Sequence, residues 1–169
     1  IRTGLPTTAW RKLYGGVPES KASVAQVDDS CGMLEAWARV DKDLAELNGN
    51  TAAFRLSQAM AFLEAMNQEF CKTLFYGDTD TDPEKFLGLT ARYPSLTTGA
   101  TSLNVIAGGG AGTDNTSVWL ICWSEEFHGI YPKESKAGLI HEDLGLDTVL
   151  DGSGNPYRAY RDRFQWKCG

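Results

Sequence analysis

Between Asn50 and Gly77 the chain carries a helical repeat too long for an ordinary single-core fold to absorb. At about 100° per residue, Ala52, Leu56, Ala59, Met60, Leu63, Met66, Phe70 and Leu74 fall in one stripe. Gln58, Glu64, Gln68, Glu69 and Lys72 lie opposite. Asn50 is placed to cap the N-terminus, because a short polar side chain can accept from the first free backbone N–H groups. Tyr76-Gly77 closes the run. At 1.5 Å per residue the helix is about 39 Å long, a strut that few single-domain enzymes of this size carry alone. Phe54 and Phe62 sit off the stripe and predict a second, smaller contact, either with a neighbouring chain or with a covering loop of the same chain.

The flanking sequence separates into three parts. Residues 1–40 read as an extended arm: 5–14 is rich in Thr, Trp and Leu, Gly15-Gly16-Val17-Pro18 breaks the run, and 23–27 resumes a β pattern. That pattern fits two strands joined at a polar tip, or one long hairpin. Leu34, Ala36, Ala38 and Val40 then alternate with Glu35, Trp37, Arg39 and Asp41, the period of two of a strand. Residues 41–77 hold a short helix over 41–47, ended by Asn48-Gly49, and the long helix. Residues 78–169 turn to loops and strands. The apolar run 118–123 predicts a strand buried on both faces, with 128–131 beside it. Residues 146–150 face 157–168 across the turn 152–155, and in the last strand Phe164, Trp166 and Cys168 alternate with Arg163, Gln165 and Lys167. The pattern as a whole is α+β.

Charge and composition narrow the function. A formal net charge of -6 and a pI near 4.9 argue against a surface devoted to neutralising phosphates, so nucleic acid is not the expected specific ligand. No window approaches the roughly eighteen apolar residues of a membrane span, and residues 1–20 lack a basic-then-apolar signal pattern. Cys31, Cys71, Cys122 and Cys168 are far apart, without C-x-x-C pairs or ligand-like spacing to His128 or His141. They read as free thiols in a reducing compartment. The chain begins at Ile1 and stops at Gly169 straight after a strand pattern, which predicts a piece of a longer protein.

Candidate chemistry is sparse. Asp78-Thr79-Asp80-Thr81-Asp82 has the alternate carboxylates of a calcium loop, yet Pro83 stands where the sixth-position glycine belongs and Leu89 where the twelfth-position glutamate belongs. A solvated acidic turn is expected, and no metal site. Gly108-Gly109-Gly110-Ala111-Gly112 lacks the lysine and helix start of a phosphate cradle, so no cofactor is expected either. Asn115-Thr116-Ser117 is formally a glycosylation sequon, of little weight without a secretion signal. His141 beside Glu142 and Asp143 is the one candidate for a hydrolase-like base, but no G-x-S-x-G elbow accompanies it and neighbouring side chains seldom point the same way. Arg11, Lys12 and Lys21 mark the arm; Arg158, Arg161, Arg163 and Lys167 mark the last strand. The acidic stretches 78–84 and 142–143 are possible complements on another copy of the chain, where charge pairing sets register more than affinity.

Residues 48–57 (NGNTAAFRLS), 62–69 (FLEAMNQE) and 73–78 (TLFYGD) resemble the long-helix region of tailed-bacteriophage major capsid proteins. Residues 2–7 (RTGLPT), 83–89 (PEKFLGL) and 132–139 (PKESKAGL) extend the resemblance over essentially the whole chain. It implies the Hong Kong 97-like fold: an E-loop over 1–40, a spine helix within 41–77, and over 78–169 a β-rich peripheral domain with the start of an axial domain whose C-terminal part is missing. It also implies a non-enzymatic subunit that self-assembles into hexamers and pentamers of an icosahedral head in the host cytoplasm and resides in the virion. Scaffold, portal and cementing proteins are the implied further partners. Trp10, Arg11, Lys12, Tyr14 and Lys21 on the arm, with Phe54 and Phe62 on the helix, are the expected lattice contacts. Some members cross-link an E-loop lysine to a neighbour's asparagine; that feature is not carried over to Lys12 or Lys21. A non-viral encapsulin-type compartment shell is the other structural alternative, and a hydrolase using His141 the enzymatic one.

Overall fold

A computed structural model describes residues 2–47, 49–97, 101–110, 112–125 and 127–169. Asn48, expected to help end the short helix, and Ala111 of the glycine-rich loop lie outside the described residues. The elements run β1 (Arg2–Gly4), β2 (Ser23–Val24), β3 (Gly32–Asp41), α1 (Lys42–Glu46), α2 (Thr51–Tyr76), α3 (Leu89–Arg92), a single 3-10 turn (Ser102–Asn104), β4 (Leu139–Leu150) and β5 (Pro156–Cys168).

The expected long helix forms, and its ends are set locally. Asn50 Oδ1 accepts from Ala53 N–H at 3.2 Å, and Gly77 N–H donates to the Thr73 carbonyl at 2.7 Å. Gly77 stops the helix where a second chain segment crosses it: Gly88 N–H donates to Gly77 O at 2.8 Å. A Cβ on Gly77 would stand 2.4 Å from Phe86 O, so only glycine permits this backbone-to-backbone approach. Asp41 caps α1 by accepting from the N–H groups of Asp43 and Leu44.

The main sheet has the order β3-β5-β4 and is antiparallel throughout. The expected hairpin closes β4 onto β5: Asp151 Oδ1 accepts from the N–H groups of Ser153 and Asn155, both at 2.8 Å, and Gly154 takes φ 85°. β4 begins at Leu139, seven residues earlier than the apolar pattern over 146–150 indicates. The acidic residues and Gly145 disguise its first half. Asp143 opposes Asp162 while Gly145 opposes Arg161, so Leu144 bulges out, with Gly145 at φ 70°. β3, read on sequence as part of the extended arm, belongs instead to the main sheet and pairs along its whole length with β5.

Helix α2 lies on one face of this sheet. Ala38, Ala59, Met66 and Phe164 form the buried cluster, with Leu34, Ala36, Phe62, Leu63 and Trp166 packed against it. Phe70 stacks on Trp166 at 4.4 Å and 8°, and meets Phe86 at 5.9 Å. Fully burying a side chain such as Met66 or Phe164 contributes about 1.5–3 kcal/mol.

Three expectations are revised. The buried face of α2 runs through Arg55, Ala59, Phe62, Met66, Phe70 and Thr73, roughly 60° round from the apolar stripe. Leu56 and Met60 are left 63% and 57% exposed. Residues 118–123 form no strand among the described residues. Val118 and Leu120 are almost fully exposed, while Trp119 reaches the rings of Phe75 and Tyr93 and Trp123 reaches that of Phe127. Ile130 instead exchanges two backbone hydrogen bonds with Gly169, just past the end of β5. Ahead of β3, strand pairing among the described residues is confined to the root of the arm, where Arg2 faces Val24 and Gly4 faces Ser23.

Candidate assembly interface

Beyond that root the arm is held by few bonds. Ser20 Oγ donates to Thr7 O at 3.0 Å across its two limbs. Near the tip Gly15 N–H donates to Lys12 O, Arg11 Nε donates to Gly15 O at 2.9 Å, and Tyr14 sits at φ 64°. This turn presents Trp10, Leu13 and Tyr14 essentially fully to solvent, between Arg11 and Lys12. Lys21, on the returning limb, is exposed too. Amphipathic rings are rarely left bare on a monomer, and a group of them rimmed by cations is the composition of a contact surface.

The two helix phenylalanines are placed differently. Phe62 packs on the sheet of its own chain, an intrachain contact but with the sheet and not with the covering loop expected as one of its two alternatives. Phe54 is half-buried near the start of α2.

Beneath the same end of α2 lies a polar cluster that sequence reasoning missed. Arg55 Nη2 donates to Asp143 Oδ1 at 2.7 Å and to Asp162 Oδ1 at 2.9 Å, joining the helix to β4 and β5 at once. Its guanidinium covers the ring of Tyr160, whose hydroxyl donates to Glu46 of α1. Arg55 and the Gly145 N–H together hold the Asp143 carboxyl below its ordinary range. His141 Nε2 lies 2.9 Å from Asp162 Oδ1, and its ring stacks on Phe164. The carboxylate partner of His141 is therefore Asp162 on the next strand, not its sequence neighbours. Glu142 points to the opposite face and pairs with Arg163. The histidine, aspartates and arginine tie helix to sheet.

The opposite sheet face is neutralised within the chain. Arg163 bridges Glu35 and Glu142, Arg161 pairs with Asp147, and both guanidinium groups lie over Trp37. The Arg163 hydrogen bond chiefly, aided by Trp37 and Gln165, lowers the Glu35 carboxyl to about 2. The acids at 142–143, expected to serve another copy, are thus engaged here. The turn at 78–82 is likewise internal: Asp78 accepts from Asp80 N–H, and Lys85 joins Asp82 to Glu69. Among the described residues no group of three or more His, Cys, Asp or Glu is arranged to hold a metal ion. All four cysteines are free, and burial pushes the Cys168 thiol up to about 11.

The accessible surface totals 13,060 Å². A compact monomer of 18.5 kDa exposes about 8,200 Å². Much of the excess is in the arm and in the stretches 105–110 and 112–123, where Ile106, Val118 and Leu120 are more than nine-tenths exposed.

Known proteins show the same kinship. No curated protein matches the chain. A chain in the near-atomic cryo-EM structure of bacteriophage epsilon15 is similar to it, with 38% sequence identity and a TM-score of 0.57. The match covers all of this chain and 51% of that one, so the sequence spans about half the length of its solved relative. The family model described as major capsid protein GP7 matches residues 1–169, and this chain belongs to that family.

Proposed function

We propose that the chain is a shell-building part of a tailed-phage head, working by assembly and not by turnover. The observation that carries this is the arm, which sets bare Trp10, Leu13 and Tyr14 between cations on a chain with far more open surface than its mass requires. Membership of a major capsid family and likeness to a phage epsilon15 chain support it.

In this reading the fold is Hong Kong 97-like. Residues 1–40 supply the E-loop, α2 is the spine helix, and 78–169 contribute the peripheral domain and the start of the axial domain. The arm of one subunit lies across the next, in hexamers and pentamers that assemble in the host cytoplasm and persist in the virion. Trp10, Arg11, Lys12, Tyr14 and Lys21 make the contact. Scaffold, portal and cementing proteins are further partners. Each contact can be weak, because a lattice presents the next one at high effective concentration. A net charge of -6 also keeps the subunit from binding packaged DNA tightly.

The test is electron microscopy of the full-length protein with Trp10 and Arg11 both replaced by alanine. Particle yield is expected to collapse while the melting temperature of the unassembled subunit stays the same, since neither side chain is buried. Unchanged yield would sink the assignment.

A further inference from the structure

We infer that Asp29 and Arg92 form a latch within the chain, one that fixes the direction in which the arm leaves the body and couples it to the C-terminal end of α2. Both terminal guanidinium nitrogens take part: Arg92 Nη2 donates to Asp29 Oδ1, and Nη1 donates to Oδ2 at 3.4 Å. A two-point grip of this kind resists rotation, where a single ion pair would swivel.

The placement gives the pair its leverage. β2 ends the paired root of the arm at Val24, and β3 starts at Gly32. Of residues 25–31 between them, all but Ala25 and Cys31 are exposed. From Ser30 onward the backbone lies against the end of β5, where Ser30 O occupies the space a Cβ would need on Gly169. Asp29 is therefore the residue at which the exposed stretch meets the body. An anchor at that point sets the angle of everything ahead of it, including the bare side chains of Trp10, Leu13 and Tyr14.

Arg92 is itself held. It closes α3, where its N–H donates to Gly88 O at 3.0 Å and its carbonyl accepts from Thr101 Oγ1 at 2.9 Å. Gly88 N–H in turn donates to Gly77 O, where α2 stops. A path of short contacts thus runs from the arm through Asp29, Arg92 and α3 to the end of the long helix. The Arg92 and Asp29 side chains are 22% and 36% exposed, so the pair adds little to overall stability. Its effect is on direction.

The experiment reads that direction on unassembled full-length subunits, by pulsed electron double resonance between two nitroxides. One label sits on Cys71, exposed on α2, and the other on Val24→Cys, exposed in the root strand, in a background whose other cysteines are serine. The parent is expected to give one narrow distance distribution. Asp29→Asn keeps the shape but loses the charge, and Arg92→Lys keeps the charge but loses the two-point grip; each is expected to widen the distribution about twofold with melting unchanged. Asp29→Arg combined with Arg92→Asp reverses the pair and is expected to narrow it again. Equal widths in the parent and both single variants would overturn the latch, and so would widening that the reversed pair does not rescue. What the direction serves rests on the shell-subunit reading, but the distance is read without assembly. Full-length protein that forms no particles would therefore sink that reading and leave the latch to be decided by the widths.

Discussion

Replacing Arg55 with methionine tests whether a polar tie holds the first half of α2 to the sheet. Methionine keeps much of the length and apolar stem, so what is lost is the charge and two hydrogen bonds, at 2.7 Å to Asp143 and 2.9 Å to Asp162. These do not count equally. The Asp143 side chain is 52% exposed and its share is that of a surface pair, about 0–1 kcal/mol. Asp162 is 7% exposed, and without Arg55 its carboxylate stays buried with, among the described residues, only the His141 ring nitrogen at 2.9 Å. Leaving one partner of a buried pair uncompensated costs about 3–5 kcal/mol. Retention of His141 puts the expected loss at the lower end, about 3 kcal/mol. With a urea slope of about 2 kcal/mol/M, the unfolding midpoint falls by roughly 1.5 M. Tryptophan fluorescence follows the transition, because Trp166 stacks on Phe70 of the same helix. Adding Asp162→Leu to Arg55→Met removes the stranded charge, and the double variant should recover about half the loss. A midpoint shift under about 0.3 M for Arg55→Met, or no recovery in the double variant, would refute the argument that Arg55 and Asp162 act as a buried pair.

Two further perturbations probe the opposite sheet face and the other end of the helix. The Glu35 carboxyl is lowered to about 2 in the folded chain, so its stabilisation is fully present above the ordinary carboxylate range and drains away as pH falls toward 2. Glu35→Gln should flatten that acid limb of the stability profile in urea titrations, and an unchanged limb would show the bridge to Arg163 to be idle. Gly77→Ala brings a Cβ to 2.4 Å from Phe86 O and 2.6 Å from Thr73 O, both backbone atoms. It should destabilise by about 2–4 kcal/mol and speed amide exchange at Gly88, which donates to Gly77 O; wild-type exchange there would contradict the close approach.

What could be read without the structure was governed by local physics. Asn50 as cap, Gly77 as stop, the Asp151–Asn155 turn and the alternation of Phe164 and Trp166 with Arg163 and Gln165 depend on residues a few positions apart. The face that α2 buries does not. Leu56 and Met60 are as apolar as Leu63 and Met66, and only the position of a sheet built from residues 32–41 and 139–168 decides which shoulder it covers. The polar tie was illegible for the same reason: Arg55 and Asp162 are 107 positions apart, and an arginine near a helix start looks like a solvated surface group. Residues 118–123 show the converse. Their composition demands burial, but Val118 and Leu120 find no cover among the described residues, so an inference that is sound for a completed fold has nothing here to satisfy it.

The attachments of α2 differ in kind at its two ends, and this bears on how a rod can serve in a lattice. The C-terminal end is held by backbone contact at Gly77 and Gly88 and by the Phe70, Trp166 and Phe86 rings, interactions that are short-ranged and lost by small displacements. The N-terminal end is held by Arg55 reaching two strands through a long, flexible side chain, which tolerates a change of angle better than a packed ring does. Arg55 points about 100° round the helix from Leu56, so this tie sets the angle between helix and sheet within the subunit. A rod that carries lattice contacts needs that angle held. The Arg55→Met variant should accordingly lose particle yield even where the unassembled subunit is still folded, whereas Glu35→Gln, on the opposite sheet face, should not. Equal assembly by the two variants at matched subunit stability would separate the cluster from the contact.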